Sequence, residues 1–383
     1  MTIEIKGTAD AGYGRVADAF ARAFDGRDGM GAALSILVDG EVVVDIHGGQ
    51  ATAGRTWETD TASVIFSCTK GLMSLLIAQC VEQGALGYDD LVAEHWPEYA
   101  RHGKEQTRVR HLLAHRAGVP ALREPLSRED LLDFARVVSA IERAEPFWSP
   151  GTAYSYHPIT HGWLVGELLR RISGRSVQEQ FARMIAGPLG AEAWIGIPRE
   201  VEDRVATMSI GPTLADATAR LVEDREHPWP ARAMTLGGAL PAALVGPGEG
   251  FNDAAVRRAV IPGAGGIATA RALAAIWSAA VTETGGHRLI GDAVRHEATA
   301  VQSAGESFFP APGPWPAWGM GFQLDSGARR YLTPQGFGHD GAGGQVAFAE
   351  PEARIGFAFL TNTMEAGDDR GTSIVDALRG VIG

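Results

Sequence analysis

Two strand-forming stretches at opposite ends of the chain constrain its fold most. ALSILVDGEVVVDI (residues 33–46) reads as two strands about a hairpin turn at Asp39-Gly40, a dipeptide that supplies the positive φ a tight hairpin needs. Near the carboxyl end, GQVAFA (344–349) and RIGFAFLTN (354–362) flank a turn at Glu350-Pro351-Glu352. Between them the pattern turns helical. The spacing predicts helices over 68–83, from Leu112 onward, over 128–141 behind a Ser127 cap, over 160–172, and over 176–185, where Ser176 and Glu179 begin a capping box. A helix over 15–24, with Val16, Phe20 and Phe24 on one face, opens the chain, and helices over 268–281 and 373–382 close it. Residues 205–265, rich in Gly, Pro and Ala, read as long ordered loops or a lid. The expected fold class is α/β of the α+β kind. One antiparallel sheet is built from both termini (1–66 and 266–383), flanked by helices and carrying an inserted, mostly helical domain (67–265), with the active site between the two.

Composition narrows the function. With 45% apolar and 21% charged residues the chain is an ordinary globular sequence, and its formal charge of 34 − 46 = −12 is spread without long runs. That balance opposes nucleic-acid binding and leaves no basic helix for a membrane surface. Cys68 and Cys80 are too few and too close to staple the chain, so reduced, partly buried thiols are expected, with no metal and no cofactor. The amino terminus has no apolar signal region, and the expected location is the cytoplasm.

No G-x-S-x-G, H-E-x-x-H or P-loop motif occurs, and GAGGIA (263–268) is read as a loop. What remains is SVIFSCTKGLMSLLIAQC (63–80), in which Lys70 is the one charge in an apolar helix. Residues three apart share a helix face, so the Ser67 hydroxyl and the Lys70 amine are neighbours. A lysine desolvated among Ile65, Leu72, Met73, Leu75 and Leu76 favours its neutral form and can take the proton of a serine nucleophile. The chain has only three lysines, Lys6, Lys70 and Lys104, and an arginine could not be such a base. A bland helix with one snorkelling lysine is the competing reading.

Two further stretches offer partners. In FWSPGTAYSYHPITHGWLVGELLRRISG (147–174), Pro150-Gly151 makes a turn and Tyr154 and Tyr156 precede a helix. A tyrosine beside a lysine ammonium is expected to have a lowered pKa, its phenolate relaying protons, although a packing role is the ordinary one for either ring. GFGHDGAGGQVAFA (336–349) is a glycine-rich approach to a strand, where a free amide could meet an oxyanion and His339 could donate a hydrogen bond or stand by.

Taken together these motifs resemble the serine β-lactamase and penicillin-binding-protein superfamily, in particular its class C-like branch and the family VIII carboxylesterases. The resemblance rests on Ser67-x-x-Lys70, the Pro150-Gly151…Tyr156 box and His339-Asp340-Gly341 before a late strand, with VRHLLAHRAGV (109–119), PLG (188–190) and WGMGFQL (318–324) in support. It implies Ser67 as the acylated nucleophile, Lys70 as its base and Tyr156 as the proton shuttle. His339 stands in the third motif, and the amides of Ser67 and Ala342 form the oxyanion hole. Asp340, Gly341, His157, Trp315 and Trp318 are the expected substrate-binding residues, the tryptophans from the aromatic stretch FFPAPGPWPAWG (308–319).

Two departures matter. Tyr156-His157-Pro158 stands where the superfamily has Tyr-x-Asn, and His339 replaces the lysine of Lys-Thr-Gly. The fixed cation for a substrate carboxylate is thereby lost, which favours a neutral ester or thioester over a β-lactam. The expected function is a carboxylesterase working through a Ser67 acyl-enzyme. The alternatives are an acyltransferase or amide-forming enzyme with an alcohol or amine acceptor, a β-lactamase or D-aminopeptidase, and a non-catalytic scaffold.

Overall fold

In the computed structural model, which describes residues 3–382, the two ends of the chain meet in one antiparallel sheet. Strand Gly31–Val38 pairs with Ile355–Thr361 along its length, from Ile355 opposite Val38 to Thr361 opposite Ala32. The sheet runs in the order Ile5–Ala9, Glu41–Thr52, Gly31–Val38, Ile355–Thr361, Val346–Glu350, Phe337–Gly338, Gln323–Leu324, Ala317–Trp318, with Arg55–Thr56 paired to Glu41–Thr52. The predicted hairpin turns where expected, with Asp39 at φ 51 and Gly40 at φ 83.

Period-two alternation gives the sheet two apolar faces. On one, Ile355, Phe357 and Phe359 join Leu34, Ile36 and Phe348 in a core closed by helices Gly14–Arg22 and Arg370–Ile382 through Val16, Phe20, Ile374 and Leu378. On the other, Ala358 and Leu360 belong to the larger core with helices Ala270–Ala279 and Cys68–Glu82. Gly356 brings the sheet against the former helix, since a Cβ there would collide with the carbonyl oxygen of Ala274. Helix Cys68–Glu82 is buried all round from Cys68 to Cys80, and both cysteines are free and buried.

Several expectations need correction. The chain opens with a strand, Ile5–Ala9, before its first helix; this edge strand is half-buried only at Ile5, so it lacks the alternation that marks a strand in sequence. The helix expected over 128–141 is two, Arg128–Leu132 and Phe134–Arg143. Asp133 leaves the helical region (φ −103, ψ 102), and its carboxylate caps the second helix at the N–H groups of Ala135 and Arg136. Residues 205–265 hold helices Pro212–Glu223, Pro228–Met234 and Ala254–Arg258; Pro212 and Pro228 start helices at the first turn, where a missing N–H costs nothing. The GAGGIA cluster is not all loop either: Gly266–Ala268 is the central strand of a small sheet between Ser63–Phe66 and Ala193–Ile195. The capping boxes at Ser127 and Ser176 form, with Asp130 and Glu179 as reciprocal partners. Among the described residues, no helix is long and apolar enough to cross a membrane.

Candidate active site

The site is assembled where strand Ser63–Phe66 turns into helix Cys68–Glu82. Phe66 takes the left-handed conformation (φ 44), unusual for a bulky residue, and is held there by edge-to-face packing on Phe251 and by the Thr69 hydroxyl, which donates to its carbonyl at 2.5 Å. This sharp turn leaves Ser67 half-buried at the mouth of the helix while Lys70, one turn on, is fully buried.

Lys70 Nζ lies 3.0 Å from Ser67 Oγ and 2.6 Å from the carbonyl oxygen of Gly263. Burial pulls its pKa down from 10.5 to about 7, with no carboxylate beside it to restore the charge. A neutral amine has two N–H groups and one lone pair, so it can donate to Gly263 and accept from Ser67 at once. Lysine scarcity was a weaker signal than it looked: Lys104 is also fully buried, donating to the carbonyls of Glu142 (3.1 Å) and Ala144 (2.5 Å) at the end of helix Phe134–Arg143, a packing role.

Tyr156 completes the constellation, its phenol beside the Ser67 hydroxyl and its ring 5.1 Å from Lys70 Nζ. Its pKa is raised by burial above the usual value of 10, only partly offset by the neighbouring Ser67 hydroxyl. The expected phenolate is therefore corrected to a neutral phenol, because desolvation outweighs the pull of a lysine whose own charge burial disfavours. Tyr154 is the packing ring of the pair, its hydroxyl donating to Gly305 O.

Four imidazoles surround this trio, and burial keeps all of them neutral. His157 and His339 are depressed to about 3, and His115 and His161 lie well below 6.5. His157 is corrected from substrate contact to structural pin: Nδ1 donates to Ser155 O at 2.6 Å and Nε2 accepts from Val119 N at 3.2 Å. His115 accepts the His157 N–H at 3.2 Å and sets its ring edge-on to Tyr156, 4.7 Å between centroids. Sequence reasoning passed over His115, although it lies within VRHLLAHRAGV and could have been suspected from that motif.

The third motif closes on the nucleophile from the sheet side. A Cβ at Gly341 would collide with Ile65 O, so bare backbone lets the third motif meet the strand that leads to Ser67. His339 Nδ1 donates to the carbonyl of Asp340 at 2.7 Å, which leaves Nε2 a lone-pair acceptor without a partner among the described residues. The amides of Ser67 and Ala342 make no backbone hydrogen bond among the described residues. Asp340 is held by Arg329 (2.9 Å), so its charge is spoken for; with Gly341 it borders a cavity of about 210 Å³.

The tryptophans part company. Trp318 is buried and stacks on Tyr156 (5.1 Å, 14°), which makes it a wall behind the tyrosine instead of a substrate contact. Trp315 lies at the surface, its indole N–H donating to Ala311 O, and no ring contact joins it to the Tyr156 cluster. Gly263 was missed because a backbone acceptor has no signature in side-chain identity; the glycine cluster was the one available hint.

Comparison with known proteins agrees with this geometry. The sequence matches the Beta-lactamase family over residues 17–380. It is 32% identical over 376 residues to the esterase/beta-lactamase LipL of Mycobacterium tuberculosis (strain ATCC 25618 / H37Rv), an alignment spanning 94% of this chain and 83% of the relative. The crystal structure of a family VIII carboxylesterase superposes with a TM-score of 0.86 at 32% identity, covering 99% of this chain and 100% of the other. A penicillin-binding protein homologue from Caulobacter crescentus superposes with a TM-score of 0.83, also at 32% identity and with coverage of 99% and 100%. A family match over nearly the whole length, on a fold that gathers serine, lysine and tyrosine in one cleft, identifies the chain as a serine hydrolase of the beta-lactamase superfamily.

Proposed function

We propose that this protein is a carboxylesterase that cleaves small neutral esters through an acyl-enzyme on Ser67. The observation that carries the reading is the 3.0 Å contact between Ser67 Oγ and an amine whose pKa burial has lowered to about 7. Near neutral pH roughly half of such an amine is free base. Lys70 takes the Ser67 proton as Oγ bonds to the ester carbonyl carbon, and the charge that develops on the carbonyl oxygen is met by the amides of Ser67 and Ala342. As the carbon–alkoxide bond breaks, neutral Tyr156 protonates the alkoxide and is recharged by the Lys70 ammonium. Water then attacks the acyl-enzyme, releasing the carboxylic acid and free Ser67.

Charge around the site supports the substrate class. His339 is neutral, and Arg329 is engaged by Asp340, so a substrate carboxylate gains no free cation near the third motif. In this reading the reaction chamber lies between the sheet body (1–66 and 266–383) and the helical region (67–265). The likeness to the esterase/beta-lactamase LipL and to a family VIII carboxylesterase points the same way.

The test is steady-state hydrolysis of p-nitrophenyl acetate with Ser67→Ala alongside. Loss of at least about a thousandfold in kcat is expected, and equal turnover by the variant would end the assignment. Adding alcohols or amines to the assay and looking for ester or amide products separates transfer from hydrolysis. Nitrocefin should be turned over far more slowly than the ester.

A further inference from the structure

The S-C-T-K stretch contains a third polar residue that the reaction above does not use. Thr69 is fully buried, and its one hydroxyl makes two bonds: it donates to Phe66 O at 2.5 Å and accepts the N–H of Gly266 at 2.9 Å. The first bond closes the left-handed turn before Ser67. The second crosses to the 261–266 segment, whose Gly263 carbonyl stands 2.6 Å from Lys70 Nζ.

That segment is a tight turn, with the N–H of Gly265 donating to Ile261 O at 2.7 Å, and it is fixed from two sides. Thr69 holds it from the nucleophile helix. From the other side it lies directly on helix Thr160–Ser173: a Cβ at Gly263 would stand 2.5 Å from Ile159 O, and one at Gly162 would collide with Gly263 N. Both glycines are needed for backbone to touch backbone, and neither anchor alone sets where the carbonyl points.

We propose that Thr69 is a positioning residue for Lys70: its hydroxyl ties the turn that carries Ser67 to the loop whose Gly263 carbonyl orients the lysine amine. The inference rests on Lys70 acting as the base of Ser67. With one N–H of the amine engaged by Gly263, its lone pair faces Ser67. After proton transfer the same carbonyl stabilises the ammonium, so a retreating carbonyl makes Lys70 a weaker and less well-aimed base. Pro158, at the position of the superfamily's asparagine, has no side-chain acceptor to substitute for it.

The experiment compares Thr69→Val, which removes the hydroxyl at nearly constant shape, with Thr69→Ser, which keeps it. Both are assayed as the full chain on p-nitrophenyl acetate from about pH 5 to about pH 9. Thr69→Val is expected to lower kcat about ten- to a hundredfold, leave KM within about twofold and move the acid limb to lower pH; Thr69→Ser is expected to retain the wild-type limb. Thr69→Ala, which removes the same hydroxyl without adding a methyl in its place, should move the limb in the same direction and keeps the test alive should Thr69→Val fail to fold. An unmoved or upward-shifted limb in the soluble variants, or Thr69→Ser no better than Thr69→Val, overturns the proposal. Ser67→Ala separates the two readings: if it is inactive while the Thr69→Val limb is unmoved, only the positioning role fails, and if it is fully active the esterase reading fails.

Discussion

Trp318 lies flat against Tyr156, ring centroids 5.1 Å apart and planes 14° from parallel. A second ring contact comes from His115, edge-on to both at 4.7 Å from Tyr156 and 4.6 Å from Trp318. Tyr156 is thus fixed by packing, which aims its hydroxyl for the proton transfer proposed above. Trp318→Ala is expected to cost about 3–5 kcal/mol of stability through the cavity it leaves and about tenfold or more in kcat as the phenol loses its aim. Trp318→Phe should recover most of both. Denaturant melts and ester kinetics on the two variants check this, and a fully active, stable Trp318→Ala would contradict it.

The pH dependence follows from two opposite shifts with one cause. Burial lowers the Lys70 base to about 7 and raises the Tyr156 acid above 10. Lysine must be neutral to accept a proton and tyrosine protonated to give one. The profile of kcat/KM should therefore rise through about pH 7 and stay level until above about pH 10. Lys70→Arg should abolish the activity at every pH, since a guanidinium stays charged. A bell with a descending limb near pH 8 would contradict the neutral phenol.

Stability should be acid-sensitive for a related reason. His115, His157, His161 and His339 are neutral in the fold, with pKa values driven below 6.5 by burial, to about 3 for His157 and His339. Below pH 6.5 the unfolded chain takes up protons that the folded chain refuses, so stability falls as pH drops toward the folded values. Each histidine contributes a slope of up to about 1.4 kcal/mol per pH unit. Urea midpoints at about pH 7 and about pH 5 measure the loss, and an unchanged midpoint would contradict the neutral cluster.

How much of this the sequence disclosed depended on whether the signal lay in side chains or in backbone. Ser67 and Lys70 were legible because three-residue spacing and a lone charge in an apolar helix are side-chain facts. Tyr156 was not separable from Tyr154 by residue type, and only the resemblance selected it. One sheet from both ends was legible because strand-forming stretches flank turns at each terminus, and the structure joins them through Gly31–Val38 and Ile355–Thr361. The backbone partners stayed hidden: the Gly263 carbonyl, the amide of Gly266 and the left-handed Phe66 leave no mark in residue identity. Residues 205–265 were read as loops because proline ends and begins helices with the same letter, and here Pro212 and Pro228 begin them. His157 was expected to meet substrate because it adjoins Tyr156, and Trp318 because it lies in the aromatic stretch 308–319, yet each turns inward to hold Tyr156 or its loop.

The central claim is that Ser67 carries the acyl group. Rapid-quench intact-mass measurement after mixing with p-nitrophenyl butyrate, followed by peptide mapping, tests it most directly. The account predicts one butyryl group per chain, located on Ser67 and absent from Ser67→Ala and Lys70→Ala. Acylation of another residue, or undiminished turnover in Ser67→Ala with no adduct, would contradict it.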